Sequence, residues 1–381
     1  MKITGDWITA RPTQAICAML SAAGYQALFV GGCVRNALLD APVGDIDIAT
    51  DARPDAVIDL ARRAGLKPVP TGLEHGTITV VADHIPHEIT TFREDVETFG
   101  RHAVVAYSSD LHTDARRRDF TMNALYARPD GTVIDPLGGL ADLRARHVRF
   151  IEDPDQRIRE DYLRILRFFR FHAWYGDAQN GLDPEGLAAC AAHLDGLESL
   201  SRERVGAELL KVLTAPNPAP SVAAMQATGV LHAVLPGADA RALAPLVHLE
   251  SETNMAPDPL RRLAALAGDD VADRLRLSRA QTRRLTQLRA AAIGTQRTPE
   301  LGYRYGVAEG TNILLLRAAL IGVPLAPDMP RDLARGAAAR FPVGAADLMP
   351  GLSGPALGRR LADLKRRWIA SDFTLTREDL L

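Results

Sequence analysis

An α+β architecture is expected from this sequence, with a small α/β head at the N-terminus and an all-helical remainder. Short apolar runs of strand length, cut by Gly, Asp and Pro, fill the first third of the chain. From about Asp153 those runs stop, and apolar residues recur at helical spacing between Pro/Gly clusters. The chain has 381 residues, too many for one small core, so at least two domains are expected.

Taken in order, Ala27 to Val30 is a short apolar strand closed by Gly31 and Gly32, and Cys33 to Leu39 carries apolar residues at helical spacing. Asp45 to Thr50 alternates acidic and small apolar residues, as a half-buried strand does. Thr77 to Ala82 and His87 to Phe92 are further strand candidates, with turn residues at Asp83 and Pro86. Residues 93–113 lack a clear period and read as a long loop, a length that is often functional in a compact domain. Farther on, Ser201 is placed to cap a helix through Leu213 whose Val205, Leu209, Val212 and Leu213 share a face. The Pro-rich stretch from Pro216 to Pro220 ends that unit. More helices are expected at 221–228, 257–268, 278–293, 311–321 and 355–370, with no internal repeat.

Composition excludes several classes. No run of about 20 apolar residues appears, so no transmembrane helix is expected, and the first residues lack the basic-then-apolar pattern of a signal peptide. Cys17, Cys33 and Cys190 are scattered, which suits a reducing cytoplasm and neither a disulfide framework nor a zinc site. The net charge of −2 argues against indiscriminate coating of nucleic acid; any such contact must come from local basic patches.

The sharpest chemical signal is Gly31-Gly32-Cys33-Val34-Arg35 followed by Asp45-Ile46-Asp47. In a strand, residues i and i+2 point to one face, so Asp45 and Asp47 present two carboxylates side by side, apt for Mg²⁺. Adjacent carboxylates repel unless a cation lies between them. The Gly-Gly turn opens a helix whose free N–H groups suit phosphate oxygens. Such a pairing is what nucleotidyl transfer requires, with one metal activating a 3′-hydroxyl and another steadying the leaving pyrophosphate. An isolated Asp-x-Asp is usually surface decoration; the ordered combination is what carries the reading. Glu88 on a neighbouring strand is either a third ligand or an exposed strand residue.

A second constellation, Arg116-Arg117-Arg118-Asp119 with Asn123, suits a triphosphate and ribose, with Arg on phosphate oxygens and Asp119 and Asn123 on hydroxyls. A third lies on a strongly helical segment, Glu160-Asp161-Tyr162-Leu163-Arg164 continuing to Arg167 and Arg170. Asp161 and Arg164, at i and i+3, share a helix face there; such pairs are most often solvated, contributing about 0.2–0.5 kcal/mol. If that face lines a base pocket, a carboxylate beside a guanidinium matches the amino group and ring nitrogen of cytosine and adenine alike. Uracil and guanine present the reverse order, and a good bidentate pairing discriminates by about 1–3 kcal/mol. Basic helical patches at Arg274–Arg284 and Lys365–Arg367 are either RNA-backbone tracks or, more commonly, solvated faces, and Trp368 is expected in a core.

In order along the chain, FVGGCVRNALLD and GDIDIATDARPD (29–55), GLEHGTITV (72–80), HEITTFRED (87–95), RRRDFTMNALY (116–126), IDPLGGLADL (134–143), REDYLRILRFFRF (159–171) and SRERVGAELLKVL (201–213) resemble the class II CCA-adding tRNA nucleotidyltransferases and bacterial poly(A) polymerases. The resemblance loosens beyond about residue 240, where the RLRLSRAQ segment and the GPALGRRL…WIASDF ending still match. It implies a nucleotidyltransferase (polymerase-β-like) head at 1–145, a helical neck with the base-reading motif at 146–200, a body at 201–275 and a tRNA-binding tail at 276–381. It implies that Asp45 and Asp47 are catalytic ligands of two Mg²⁺ ions, with Glu88 a possible third carboxylate. Gly31, Gly32, Arg35, Arg118, Asp119, Asn123, Asp161, Arg164 and Arg167 become the nucleotide-binding set, and Asp161 and Arg164 fall on the family's EDxxR motif. Substrates would be CTP, ATP and the acceptor end of tRNA, in the cytoplasm, with no membrane and no protein partner. One departure is Asn36, where the family usually has an acidic residue.

Within the family, poly(A) polymerases tend to carry a basic, aromatic stretch after the Asp-x-Asp strand. Thr71 to Val80 here has the CCA-adding form, and 93–113 resembles the loop that CC-limited enzymes lack. CCA addition is therefore expected, with a poly(A) polymerase or a CC- or A-only enzyme as alternatives. A non-catalytic RNA-binding descendant is disfavoured by the intact Asp pair. No phosphohydrolase motif appears, and no second activity is expected.

Overall fold

The computed structural model describes residues 1–99, 102–349 and 351–381, which divide into two units, Met1–Pro236 and Gly237–Leu381. In the first, helices α1 (Asp6–Thr9) and α2 (Arg11–Ala22) lead into β1 (Leu28–Val30), α3 (Gly32–Leu38), β2 (Ile46–Thr50) and α4 (Pro54–Arg63). Then come β3 (Lys67–Gly72), β4 (Thr77–Ala82), β5 (Ile85–Thr91), β6 (Arg93–Phe99), β7 (His102–Tyr107), α5 (Leu111–Arg116), β8 (Tyr126–Ala127), β9 (Val133–Ile134) and α6 (Gly139–Arg144). Helices α7 (Pro154–Glu160), α8 (Leu163–Tyr175), α9 (Pro184–Ala192), α10 (Arg202–Thr214), α11 (Ala219–Ala227) and α12 (Val230–Val234) complete the unit.

Seven strands form one mixed sheet in the order β3-β4-β5-β2-β1-β8-β9. β2 and β5 are the parallel pair at its centre, with Asp47 opposite Glu88 and Ile46 opposite His87. Alternation sets the faces. Ile46 and Ile48 are buried, and His87 is buried with a ring nitrogen 3.0 Å from Thr13 Oγ1 of α2. Asp47 and Glu88 therefore take the other face. Strand β4 alternates half-buried and buried residues, which is why its bounds were legible. By contrast, β2 is buried at four of its five positions, more deeply than a half-buried strand, because the helical side and the Leu28/Val30/Ala49/Tyr126 cluster each cover a face.

Two expectations are corrected. Residues 93–113 are not a structureless loop: β6 and β7 pair as a separate antiparallel hairpin with a register shift between Asp95 and Glu97, and α5 comes after it. A hairpin outside the main sheet need not carry the apolar alternation of a strand buried on one face, so no period betrayed it. The segment 160–170 is not one helix. α7 ends at Glu160, Asp161 has extended backbone (φ −153°, ψ 105°), and α8 begins at Leu163.

Ser201 caps α10 by accepting from Arg204 N, and Val205, Leu209, Val212 and Leu213 are buried. In the second unit the helices are α13 (Leu243–Glu252), α14 (Pro259–Leu266), α15 (Val271–Arg274), α16 (Arg279–Ala292), α17 (Thr298–Ile321), α18 (Met329–Ala338), α19 (Gly354–Ala370) and α20 (Arg377–Leu380). α17 starts well before the expected 311, with a kink where Gly306 has φ 76°. Trp368 is buried with Leu364, Ile369 and Leu380, beside Tyr303 and Phe373. Arg284 pairs with Asp258 and Glu309, and Arg276 with Asp273.

Candidate active site

The site begins at the turn between β1 and α3. Gly31 has φ 69° and ψ −119°, a conformation that disfavours any side chain, and a Cβ there would lie 3.6 Å from Arg118 Nη1. Behind it, Cys33 in the first turn of α3 lies 3.8 Å through its Sγ from the carbonyl of Asp47. The glycine turn, Arg118 and Asp47 are thus neighbours.

Asp47 is half-buried and Asp45, just before β2, is exposed. Burial pushes the Asp47 carboxyl up to about 6, the charges of Glu88 and Asp45 add to the rise, and Arg118 opposes it. Glu88, exposed on β5 opposite Asp47, and Asp45, just before β2, thus both bear on Asp47. Among the described residues no three acidic, histidine or cysteine side chains converge tightly enough to cage a metal by themselves. That arrangement fits Mg²⁺, which takes one or two carboxylates and completes its octahedron with water and substrate phosphate.

Arg118 is fixed from below. Its Nη2 donates to Asp114 Oδ2 at 3.0 Å and its Nε to Tyr126 Oη at 3.1 Å, while Tyr126 Oη donates to the same Asp114 oxygen at 2.7 Å. Arg117 Nη2 takes the other Asp114 oxygen at 2.7 Å. These two guanidiniums hold the buried Asp114 carboxyl well below the usual range despite its desolvation. Arg118 Nη1 remains aimed at the glycine turn.

Asp119 is buried and bound on both oxygens. Oδ1 accepts from Phe120 N and Asn123 Nδ2, each at 2.9 Å, and Oδ2 from Arg167 Nε at 2.7 Å. Burial raises its pKa, but Arg167, Asn123 and Arg164 prevail and hold it down to about 2. Asn123 Oδ1 in turn accepts from Arg35 Nη1 at 2.6 Å. Arg35 Nη2 donates to Tyr175 Oη at 2.8 Å, and its guanidinium lies 4.0 Å from the Tyr175 ring centre. A continuous chain, Arg167–Asp119–Asn123–Arg35–Tyr175, thus joins the sheet-bearing part to α8.

Asp161 and Arg164 are near in sequence but do not pair with each other. Asp161 Oδ2 accepts from Arg204 Nη2 at 2.7 Å, in α10, and its Oδ1 from Leu163 N at 3.1 Å. Arg164 Nη1 pairs with Glu160 Oε2 at 2.5 Å, and Nη2 donates to the Arg117 carbonyl at 3.0 Å. The break after α7 is what separates them: a shared helix face requires a continuous helix.

Sequence reasoning missed Asp114, Tyr175 and Arg204. Asp114 stands three and four residues before Arg117 and Arg118, a helical ion-pair spacing that carries the signal. Nothing local marks Tyr175 or Arg204, whose partners are distant in sequence.

Residues 27–149 match the model of the poly(A) polymerase head domain, and residues 181–241 that of a probable RNA- and SrmB-binding site of polymerase A. The chain is 41% identical over 210 residues to a CCA-adding enzyme of Levilactobacillus brevis, covering 55% of this chain and 51% of that one. It is 43% identical over 190 residues to the mitochondrial CCA tRNA nucleotidyltransferase 1 of Homo sapiens, covering 50% and 44%. The solved Bacillus stearothermophilus CCA-adding enzyme in complex with CTP superposes with a TM-score of 0.71 at 27% identity, over 95% of this chain and 94% of that chain. Residues 27–149 of this chain carry the poly(A) polymerase head domain. The chain spans about half the length of the curated relatives it matches. A Thermotoga maritima CCA-adding enzyme complexed with tRNA, at 19% identity and TM-score 0.69 over 100% and 98% of the two chains, shares the fold.

Where the family usually carries an acid, Asn36 Oδ1 accepts from Arg35 Nη2 at 2.9 Å and Nε at 3.2 Å, while Nδ2 donates to the Pro42 carbonyl at 2.8 Å. Asn36 thus gives Arg35 a neutral acceptor. No helix of the described residues is long and apolar enough to cross a membrane.

Proposed function

We propose that this protein adds nucleotides to the 3′ end of tRNA, building CCA from CTP and ATP with release of pyrophosphate. The observation that carries the reading is Asp47, opposite Glu88 across the β2–β5 pair and two residues from Asp45, beside a glycine turn that Arg118 faces. The names of the relatives, CCA-adding enzyme and CCA tRNA nucleotidyltransferase, support the same substrate, as does CTP in the complex named for the Bacillus stearothermophilus relative.

Asp45 and Asp47, with Glu88 as a third carboxylate, would hold two Mg²⁺ ions, which supply Lewis-acid activation of the attacking hydroxyl and charge for the leaving pyrophosphate. Arg118 and Arg35 would neutralise phosphate oxygens at the Gly31-Gly32 turn. Asp119, bound on both oxygens, positions Arg167 and Asn123. Asp161 and Arg164 would read the base, each exchanging part of its present contacts for the nucleotide. We assign residues 1–145 to the catalytic head, 146–200 to the neck, 201–275 to the body and 276–381 to a tRNA-binding tail, in a cytoplasmic enzyme. The test supplies a tRNA transcript ending at its discriminator base, with CTP and ATP together, and sequences the product ends. Ends in CCA are expected; a long A tail would identify a poly(A) polymerase, and an unextended transcript would refute the reading.

A further inference from the structure

Helices α8 and α10 enclose a cavity of about 320 Å³ lined by Arg35, Arg170, Phe171, Trp174, Tyr175 and Lys211. Its volume falls in the range of small-ligand sites, and its chemistry is mixed. Phe171 and Tyr175 lie with ring centres 5.6 Å apart, and Arg170 lies 4.8 Å from the Phe171 ring centre. Trp174 is 41% exposed, although its Nε1 donates to the Lys211 carbonyl at 2.9 Å and so fixes the ring. An exposed tryptophan pinned to a neighbouring helix is an ordered apolar face with nothing of this unit packed over much of it.

Charge on the walls is unbalanced. Glu208 serves both Arg170, at 3.1 Å, and Lys211, at 3.4 Å, whereas the hydrogen bonds of Arg35 go to Asn36, Asn123 and the Tyr175 hydroxyl, all neutral. Three cations line the cavity and no carboxylate among the described residues does; Glu208 and Asp119 act on Arg170, and Asp119 on Arg35, from outside the lining. Flat aromatic surface beside surplus positive charge is what unpaired nucleic acid recognises: a base stacks and its phosphate meets a cation. Arg35 also lies at the glycine turn, where a Cβ on Gly32 would be 3.8 Å from its Nη2. A nucleotide in the cavity therefore sits one side chain away from the candidate reaction centre.

We propose that this cavity holds an unpaired nucleotide of the RNA 3′ segment, with its base on Trp174 and Tyr175 and its phosphate at Lys211 and Arg170. The inference rests on the proposed RNA-terminal activity and adds a subsite to it. The test measures fluorescence anisotropy of a labelled tRNA transcript with a 3′-deoxy end, so that binding is read without chemistry, alongside CTP and AMP binding. Trp174→Ala should weaken RNA binding about tenfold, the order expected for one stacked base. Lys211→Ala should weaken it most at low salt and lessen its salt dependence, Trp174→Phe should restore what Trp174→Ala loses, and CTP affinity should not change. RNA affinity within twofold of the parent in both alanine variants would overturn the proposal. So would an equal loss of CTP affinity, or a loss confined to AMP. The two readings separate cleanly: an unmodified protein that never extends tRNA sinks the activity, whereas one that extends it but binds RNA independently of Trp174 sinks only the subsite.

Discussion

Asp119 shows how a residue chosen for one job is committed to another. Its sequence position suggests contact with a ribose hydroxyl, but four donors already occupy its two oxygens. The pairing with Arg167 has a pH signature. A carboxyl depressed from 3.8 to about 2 binds fewer protons folded than unfolded. Its stabilisation is therefore complete above about 4 and is lost as pH falls through about 2. Asp119→Asn should be less stable than the parent at pH 7 by on the order of 2 kcal/mol. In urea titrations the gap should close as the pH is lowered from 4 towards 2; a gap independent of pH over that window would show that the ion pair is not its source. Asp114 was missed although it stands at ion-pair spacing from Arg117 and Arg118. The arginines point forward along the chain to Asp119 and Asn123 as ligand-binding partners, while the acid that anchors them lies behind.

Strands were legible where one face is buried and the other is not, as in β4. They were obscure where this contrast fails. β6 and β7 form a hairpin outside the main sheet, β8 and β9 are two residues each, and β3 is exposed or half-buried throughout. Helix α10 was legible through its cap, Ser201, whereas the full capping box at Ser278 that opens α16 went unread. The break between α7 and α8 was not legible, since Asp161 and Tyr162 carry no breaker residue. It matters because it turns Asp161 towards Arg204 and Arg164 towards Glu160, two separate ion pairs rather than one shared between them. If Asp161 and Arg164 read the base together, Arg164→Ala should lower CTP and ATP use and relax the rejection of UTP. Steady-state competition between CTP and UTP decides it, and an unchanged nucleotide preference would remove Arg164 from the reading face.

Every candidate catalytic and nucleotide-binding residue lies in Met1–Pro236, and the second unit has a buried ion cluster of its own, where Glu250 takes both Arg261 and Arg262. The near-neutral total charge is consistent with recognition by local features rather than by the field of the whole protein. What the sequence could convey was the order of motifs and the identity of the acids; what it could not was which distant side chains hold them. The reaction stands or falls with Asp47, the most constrained of the three carboxylates. Labelled-CMP incorporation into tRNA by Asp47→Ala, with RNA binding measured in parallel, is the decisive comparison. Loss of several kcal/mol of metal-borne stabilisation predicts a rate lower by on the order of a thousandfold, with RNA affinity within twofold of the parent. Incorporation at the parental rate would contradict the assignment of this acidic cluster as the metal-binding centre.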